Sequence, residues 1–127
     1  MAKIFLDANV FVDLAEKRKQ ITIADFLEHE LYISPLSIHI LTYLYKYHTP
    51  NKKLINLLKK FINFVPFNKE IAEFSSLGPT KDFEDNVQLH SAAEAECDIF
   101  LTNDTKILNL KFFGKMKLAP KLEQVTN

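Results

Sequence analysis

Apolar positions along the chain change their period repeatedly. Residues 3–6 form a short apolar run that leads into Asp7-Ala8-Asn9, after which Val10, Phe11, Leu14 and Ala15 recur at helical spacing. This predicts a strand followed by a helix. Ile23, Phe26 and Leu27 predict a second short helix, residues 31–34 a second strand, and residues 36–47 an apolar helix stopping before Pro50. From Asn51 onward, Leu54, Leu57, Leu58 and Phe61 share one helical face, while Lys52, Lys53, Lys59 and Lys60 lie off it. Residues 62–67 read as a third strand and residues 69–77 as a helix. Gly78-Pro79 is the clearest turn, ahead of a helix over 82–96, a buried strand over 98–102, a short helix over 104–110 and a last strand over 115–118. Strands separated by helical segments need crossover connections, so they pair in parallel with helices on both faces. The expected fold is α/β, a three-layer α/β/α sandwich with a central parallel sheet, in a single domain spanning residues 1–127.

Composition narrows the class. With 47% of its 127 residues hydrophobic, the chain can bury a full core, which excludes disordered and collagen-like proteins. Two glycines leave no phosphate-cradling loop of the P-loop or dinucleotide type. The single cysteine, Cys97, excludes an internal disulfide framework and reads as a small residue packing near the core. The longest apolar stretch, residues 31–47, is broken by Ser34, Pro35, Ser37, His39, Thr42 and Lys46, short of the roughly 20-residue run of a membrane helix. No charged leader with an apolar core opens the chain, so a soluble cytoplasmic protein without membrane association is expected. A net charge of zero conceals −2 over residues 1–30, +6 over 31–69, −8 over 70–104 and +4 over 105–127. That polarity suits an acidic cleft flanked by basic surfaces, and equally a set of solvated helix faces.

Three aspartates stand at equivalent places. Asp7 follows the first strand, Asp85 lies in the first turn of the helix after Gly78-Pro79, and Asp104 follows the strand over 98–102. In an open parallel sheet, sites form beyond the carboxyl ends of the strands, where residues distant in sequence converge. Each aspartate alone is explained as a helix cap or as an acid facing a helix dipole. Together, clustered carboxylates repel and raise one another's pKa unless a cation neutralises them. A hard divalent ion, Mg²⁺ or Mn²⁺, suits such oxygens and can polarise a phosphoryl oxygen. The implied chemistry is metal-assisted hydrolysis of a phosphodiester. His29, His39, His48 and His90 show no paired ligand spacing, so zinc is not expected.

At this point the residues resemble a known family. Ile4-Phe5-Leu6-Asp7-Ala8-Asn9-Val10, Ile33-Ser34-Pro35-Leu36-Ser37-Ile38, Asp82-Phe83-Glu84-Asp85-Asn86-Val87-Gln88 and Cys97-Asp98-Ile99-Phe100-Leu101-Thr102-Asn103-Asp104 occur in order at a specific spacing. The sequence is similar over nearly its whole length to PIN-domain ribonucleases, including the toxin subunits of VapBC-type toxin-antitoxin pairs, in the subset with an Asp-Phe-Glu-Asp run. The resemblance implies a parallel sheet between helices and an acidic pocket that binds Mg²⁺ or Mn²⁺ and cuts RNA. Asp7, Asp85 and Asp104 fall on the family's first, third and fourth acidic positions as catalytic metal ligands. It further implies a homodimer and, for a toxin, a small antitoxin protein that silences the pocket with a basic side chain.

The chain departs from the pattern at the second acidic position, where Ile40 replaces the family's Glu, Asp or Asn. His39 is adjacent, but one residue along a helix rotates a side chain by about 100°, so it is a poor substitute and reads as a pocket wall or surface residue. Asp82, three residues before Asp85, either restores part of the pocket's charge as a further metal ligand or simply caps the helix. Glu84 is expected to point away into solvent. Asn9 and Thr102 are read as residues that position substrate or water, with Thr102 and Asn103 equally compatible with an ordinary strand-to-helix turn. The lysine-rich face over 51–61, with Tyr43, Tyr45 and Tyr47 upstream, could attract phosphates and stack on bases.

Two other functions remain in view. A catalytically weak or silent PIN-like domain would bind RNA or a partner protein without cutting. A receiver-type signalling domain shares the length and alternation, but it needs a phosphate-accepting aspartate on its middle strand, and residues 31–69 contain no acid.

Overall fold

The computed structural model describes residues 1–19, 22–60 and 63–122. Its strands are β1 (Lys3–Leu6), β2 (Glu30–Tyr32), β3 (Ile99–Leu101), β4 (Phe112–Phe113) and β5 (Met116–Ala119). The helices are α1 (Ala8–Ala15), α2 (Pro35–Tyr45), α3 (Lys52–Lys60), α4 (Lys69–Ser75), α5 (Phe83–Glu94) and α6 (Thr105–Leu108), with a 3₁₀ turn over Ile23–Phe26. Among the described residues, no helix is long and apolar enough to cross a membrane.

Side-chain caps set most helix starts. Ser34 accepts a hydrogen bond from the Leu36 N–H at 3.1 Å, and Pro35 supplies a preset first-turn φ for α2. Asn68 does the same for α4 from the Ile71 N–H, at 2.9 Å. Asp7, Asp82 and Asp104 cap α1, α5 and α6, so three of the carboxylates singled out in the sequence also begin helices.

The sheet runs β2-β1-β3-β5-β4, parallel from β2 through β5, with β4 antiparallel at one edge. Strand alternation divides the core between its faces. Ile4, Leu6 and Leu101 pack with α1, α2 and α3, while Phe5, Phe100 and Leu118 pack with α4, α5 and α6. The rings of Phe5 and Phe100, paired across β1 and β3, stack with centroids 5.5 Å apart. The three-layer sandwich is therefore as expected, with β1 and β3 side by side at its centre.

Two strands differ from expectation. The strand over 62–67 is reduced, within the described residues, to one parallel bridge between Ile33 and Phe64; Phe61 and Ile62 lie outside them. Pro35 explains the short ladder: Ile33 donates to the Asn63 carbonyl and accepts from the Val65 N–H, and the next donor in register would be Pro35, which has no N–H and begins α2. At the other end the final strand is extended by a hairpin: Phe113 pairs with Met116 across Gly114-Lys115, and Gly114 takes φ 63°. A positive φ at the first central position is what a tight two-residue hairpin turn requires. Consequently the sheet is mostly parallel, not wholly so.

Candidate active site

Because β1 and β3 are parallel neighbours, the residues that follow them emerge at the same end of the sheet. The Asp7 N–H donates to the Leu101 carbonyl at 2.9 Å, extending the ladder one residue past β1. Asp7 is only 3% exposed. One carboxylate oxygen accepts from the Ala8 N–H at 2.8 Å; the other accepts from Thr102 Oγ1 at 2.6 Å and Asn9 Nδ2 at 3.2 Å. Thr102 is fully buried, and its hydroxyl also accepts from the Asp104 N–H at 3.0 Å. One hydroxyl thus links the first and last of the three aspartates.

Asp85, in the first turn of α5, faces Asp7 across a cleft of about 300 Å³. Asp7, Asp13, Glu84 and Asp85 supply its acidic wall, Val12, Ile40 and Leu44 an apolar one, and Asn9 and Asn103 amide groups. Burial pushes the Asp7 carboxyl up to about 6, against the opposing pull of the Thr102 and Ala8 hydrogen bonds, with repulsion from Asp104 and Glu84 adding to the rise. Burial, then repulsion from Asp82, Asp7, Asp104 and Glu84, pushes Asp85 up to about 7. Both acids lie at helix N-termini, which favour negative charge. Desolvation and mutual repulsion nevertheless prevail.

These shifts have a measurable consequence. A carboxyl whose pKa is raised on folding binds more protons folded than unfolded, so its contribution to stability is complete below about pH 4 and is lost as pH rises through 6 to 7. In EDTA, the melting temperature is expected to fall between pH 5 and pH 8, and to fall less in Asp85→Asn. Thermal melts followed by circular dichroism check this; a level or rising melting temperature, or equal slopes in the two proteins, contradicts it.

The other sequence candidates are placed as follows. Asp104 contributes its carboxylate to the cap of α6, accepting from the Lys106 N–H at 2.8 Å, and reaches Asp7 and Asp85 through its charge, not through the cleft wall. Asp82 is exposed and accepts from the Asp85 N–H at 3.0 Å, so it caps α5 while repelling Asp85. Asn9 lines the cleft, whereas Thr102 lies beneath it and holds Asp7. His39 is exposed and Ile40 forms part of the wall. Glu84 is exposed, as expected, but it also borders the cleft. Asn103, weighed with Thr102 as a polar turn residue, lines the cleft, and so do Asp13, Arg18 and Lys19, to which sequence reasoning assigns no role. The available signal for Asp13 was its helical spacing of four from Asn9.

Among the described residues, no three His, Cys, Asp or Glu side chains stand close enough to enclose a metal ion. Mg²⁺, however, keeps several waters and is commonly bound by one or two carboxylates together with substrate phosphate. Asp7 and Asp85 offer that donor set, two hard-oxygen carboxylates facing one cleft and held above their ordinary pKa by burial and repulsion. The residues fit such an ion.

An α/β sandwich with an acidic cleft beyond the carboxyl ends of β1 and β3 defines the class of protein. The chain belongs to the PIN-domain family, whose model matches residues 4–112, and PIN domains are a family of nucleases. No curated protein matches it in sequence. Among solved structures it is similar to VapBC2 from Rickettsia felis bound to a DNA fragment from their promoter, with TM-score 0.65 and 14% identity over 94% of this chain and 99% of that one. It is also similar to FitAcB from Neisseria gonorrhoeae, with TM-score 0.61 and 18% identity over 91% and 96% of the two chains. A third similar structure is FitAB bound to the IR36 DNA fragment, with TM-score 0.58 and 19% identity over 96% and 99%. At these identities the likeness is one of fold.

Proposed function

We propose that the chain is a metal-dependent endoribonuclease that hydrolyses RNA phosphodiester bonds, and that it is the toxin of a type II toxin-antitoxin pair. The observation that supports this most is the pair of desolvated carboxylates, Asp7 and Asp85, facing one cleft with their pKa values raised to about 6 and 7. Asp7 and Asp85 would hold Mg²⁺ or Mn²⁺, with Asp104 adding negative charge from the start of α6. When bound, such an ion polarises a phosphoryl oxygen and makes water a stronger nucleophile at neutral pH. Thr102 and Asn9 fix the Asp7 oxygen that faces them, so that its direction does not depend on solvent. In the ion-free cleft burial and the neighbouring acids push Asp85 up to about 7, and a bound divalent ion would hold the same carboxylate ionised. A small antitoxin with a basic side chain suits the same acidic wall, and a homodimer is the proposed assembly.

Ile40 supports a second reading. An aliphatic side chain stands in the cleft wall where the family's motif has a polar one, and a domain so altered could bind RNA or a partner protein without cutting. Incubation of the purified protein with varied RNA substrates in Mn²⁺, Mg²⁺ or EDTA separates the two. Cutting that requires the metal supports the nuclease. A folded protein that cuts none of the substrates but binds them establishes the silent domain.

A further inference from the structure

The cleft poses an electrostatic problem for the substrate. Asp7, Asp13, Glu84 and Asp85 would repel a polyanionic strand unless cations meet it. Arg18 and Lys19, in the turn after α1, line the same cleft. Their anchor is Asp13, whose side chain is 7% exposed: Arg18 Nε lies 3.4 Å from one of its carboxylate oxygens and Lys19 Nζ 3.6 Å from the other. Asn103 Nδ2 donates to Asp13 at 3.2 Å, tying the loop after β3 to the same carboxylate. The backbone follows suit. Lys17 and Lys19 adopt left-handed conformations, φ 54° and 55°, and the Arg18 N–H donates to the Asp13 carbonyl at 2.7 Å, so the turn folds back over Asp13.

A single cation would neutralise a single buried carboxylate. Here two converge on it, and their side chains remain 52% and 61% exposed. Among the described residues, the guanidinium is held by Asp13 and by Tyr45, to whose hydroxyl Nη1 donates at 3.2 Å. Of its five N–H donors, a planar fork anchored this way keeps others for an incoming oxyanion, and phosphate is the oxyanion it fits bidentately. We infer that Arg18 and Lys19, fixed by the buried Asp13, clamp a backbone phosphate of the RNA strand beside the acidic wall. Asp13 is then a positioning residue acting through the two cations. This inference rests on the ribonuclease reading and names the residues that bind its substrate.

The test uses the full chain in EDTA with a fluorescein-labelled single-stranded RNA, followed by anisotropy over a range of salt concentrations. The double variant Arg18→Gln/Lys19→Gln is expected to bind at least ten times more weakly, and its salt dependence to be shallower by about 0.7 in log Kd per log salt, the value for one phosphate contact on a single strand. Arg18→Lys keeps the charge and should keep the slope. Native affinity and slope in the double variant overturn the clamp, as does a native protein that binds no RNA. In cleavage assays, Asp13→Asn is expected to raise KM at least fivefold with kcat within twofold; a loss of kcat at unchanged KM overturns the positioning role. Should Asp13→Asn fail to fold, the double variant, altered only at half-exposed side chains, carries the test. A protein that binds with the expected loss in the double variant but never cuts leaves the clamp standing and removes the nuclease; one that cuts while the double variant binds normally does the reverse.

Discussion

Asparagine in place of Asp85 is expected to lower metal-supported RNA cleavage at least ~100-fold and, in the same protein, to raise the melting temperature in EDTA. The two effects have opposite signs. Asparagine matches aspartate in shape but carries no charge, so it cannot neutralise a divalent ion. In chelator that charge is a burden, because Asp82, Asp7, Asp104 and Glu84 repel it and burial strips it of water. Losing an acid from the first turn of α5 sacrifices ~0.3–1 kcal/mol of helix-dipole interaction. The pKa of about 7 against an ordinary 3.8 is nominally a larger effect, and after allowance for solvent screening it amounts to about 1–2 kcal/mol. Relief therefore wins. Initial cleavage rates and thermal melts on matched preparations decide the matter; activity within tenfold of native, or a lower melting temperature, would count against the site.

Phe100→Ala is expected to cost about 3–5 kcal/mol, the largest effect on stability. Its ring is fully buried, lies on the central strand β3 and stacks on Phe5 of β1 at 5.5 Å. Truncation opens a cavity between the sheet and the α4, α5 and α6 layer, where strands fixed by hydrogen bonds on both sides cannot collapse to fill it. Since domains of this size are stable by only about 5–15 kcal/mol, much of the folding free energy is at stake. Urea unfolding should show the midpoint falling with little change in slope. A loss under about 1 kcal/mol would mean that the two helical layers close on the sheet differently.

Much of this arrangement is legible in the amino-acid sequence, for identifiable reasons. β1 and β3 are short apolar runs, each followed by an aspartate that caps a helix, and both the run and the cap are local signals. The helix expected over 82–96 is found over Phe83–Glu94 because its cap, Asp82, and its preceding turn are equally local. What local pattern cannot carry is pairing. Phe112–Phe113 is two residues long and becomes a strand only by lying against β5, while Phe64 has strand neighbours in sequence but its partner strand ends at Pro35, which has no N–H to continue the ladder. The acids divide in the same way. Asp7 and Asp85 announce themselves by position, whereas Asp13 sits among the apolar residues of α1 and acquires a role through Arg18, Lys19 and Asn103. Ile40 was visible as a departure from the family's pattern; that it joins Val12 and Leu44 to form an apolar wall beside the acids could be seen only in three dimensions. That wall contributes to the desolvation which raises both carboxyls.

The hydrogen bond from Thr102 to Asp7 joins residues 95 positions apart, and this dictates the order in which the chain acquires a working centre during its own synthesis. Asp7 is made long before β3, which flanks it, and Thr102, which orients it. A growing chain on the ribosome therefore carries Asp7 without its neighbours until residues 99–104 have emerged, and pairing across so long a separation is intrinsically slow. Until residues 99–104 are in place Asp7 has neither its flanking strand nor its orienting hydroxyl, so the acidic cleft is assembled late, after the segment that carries Asp85 has already been made.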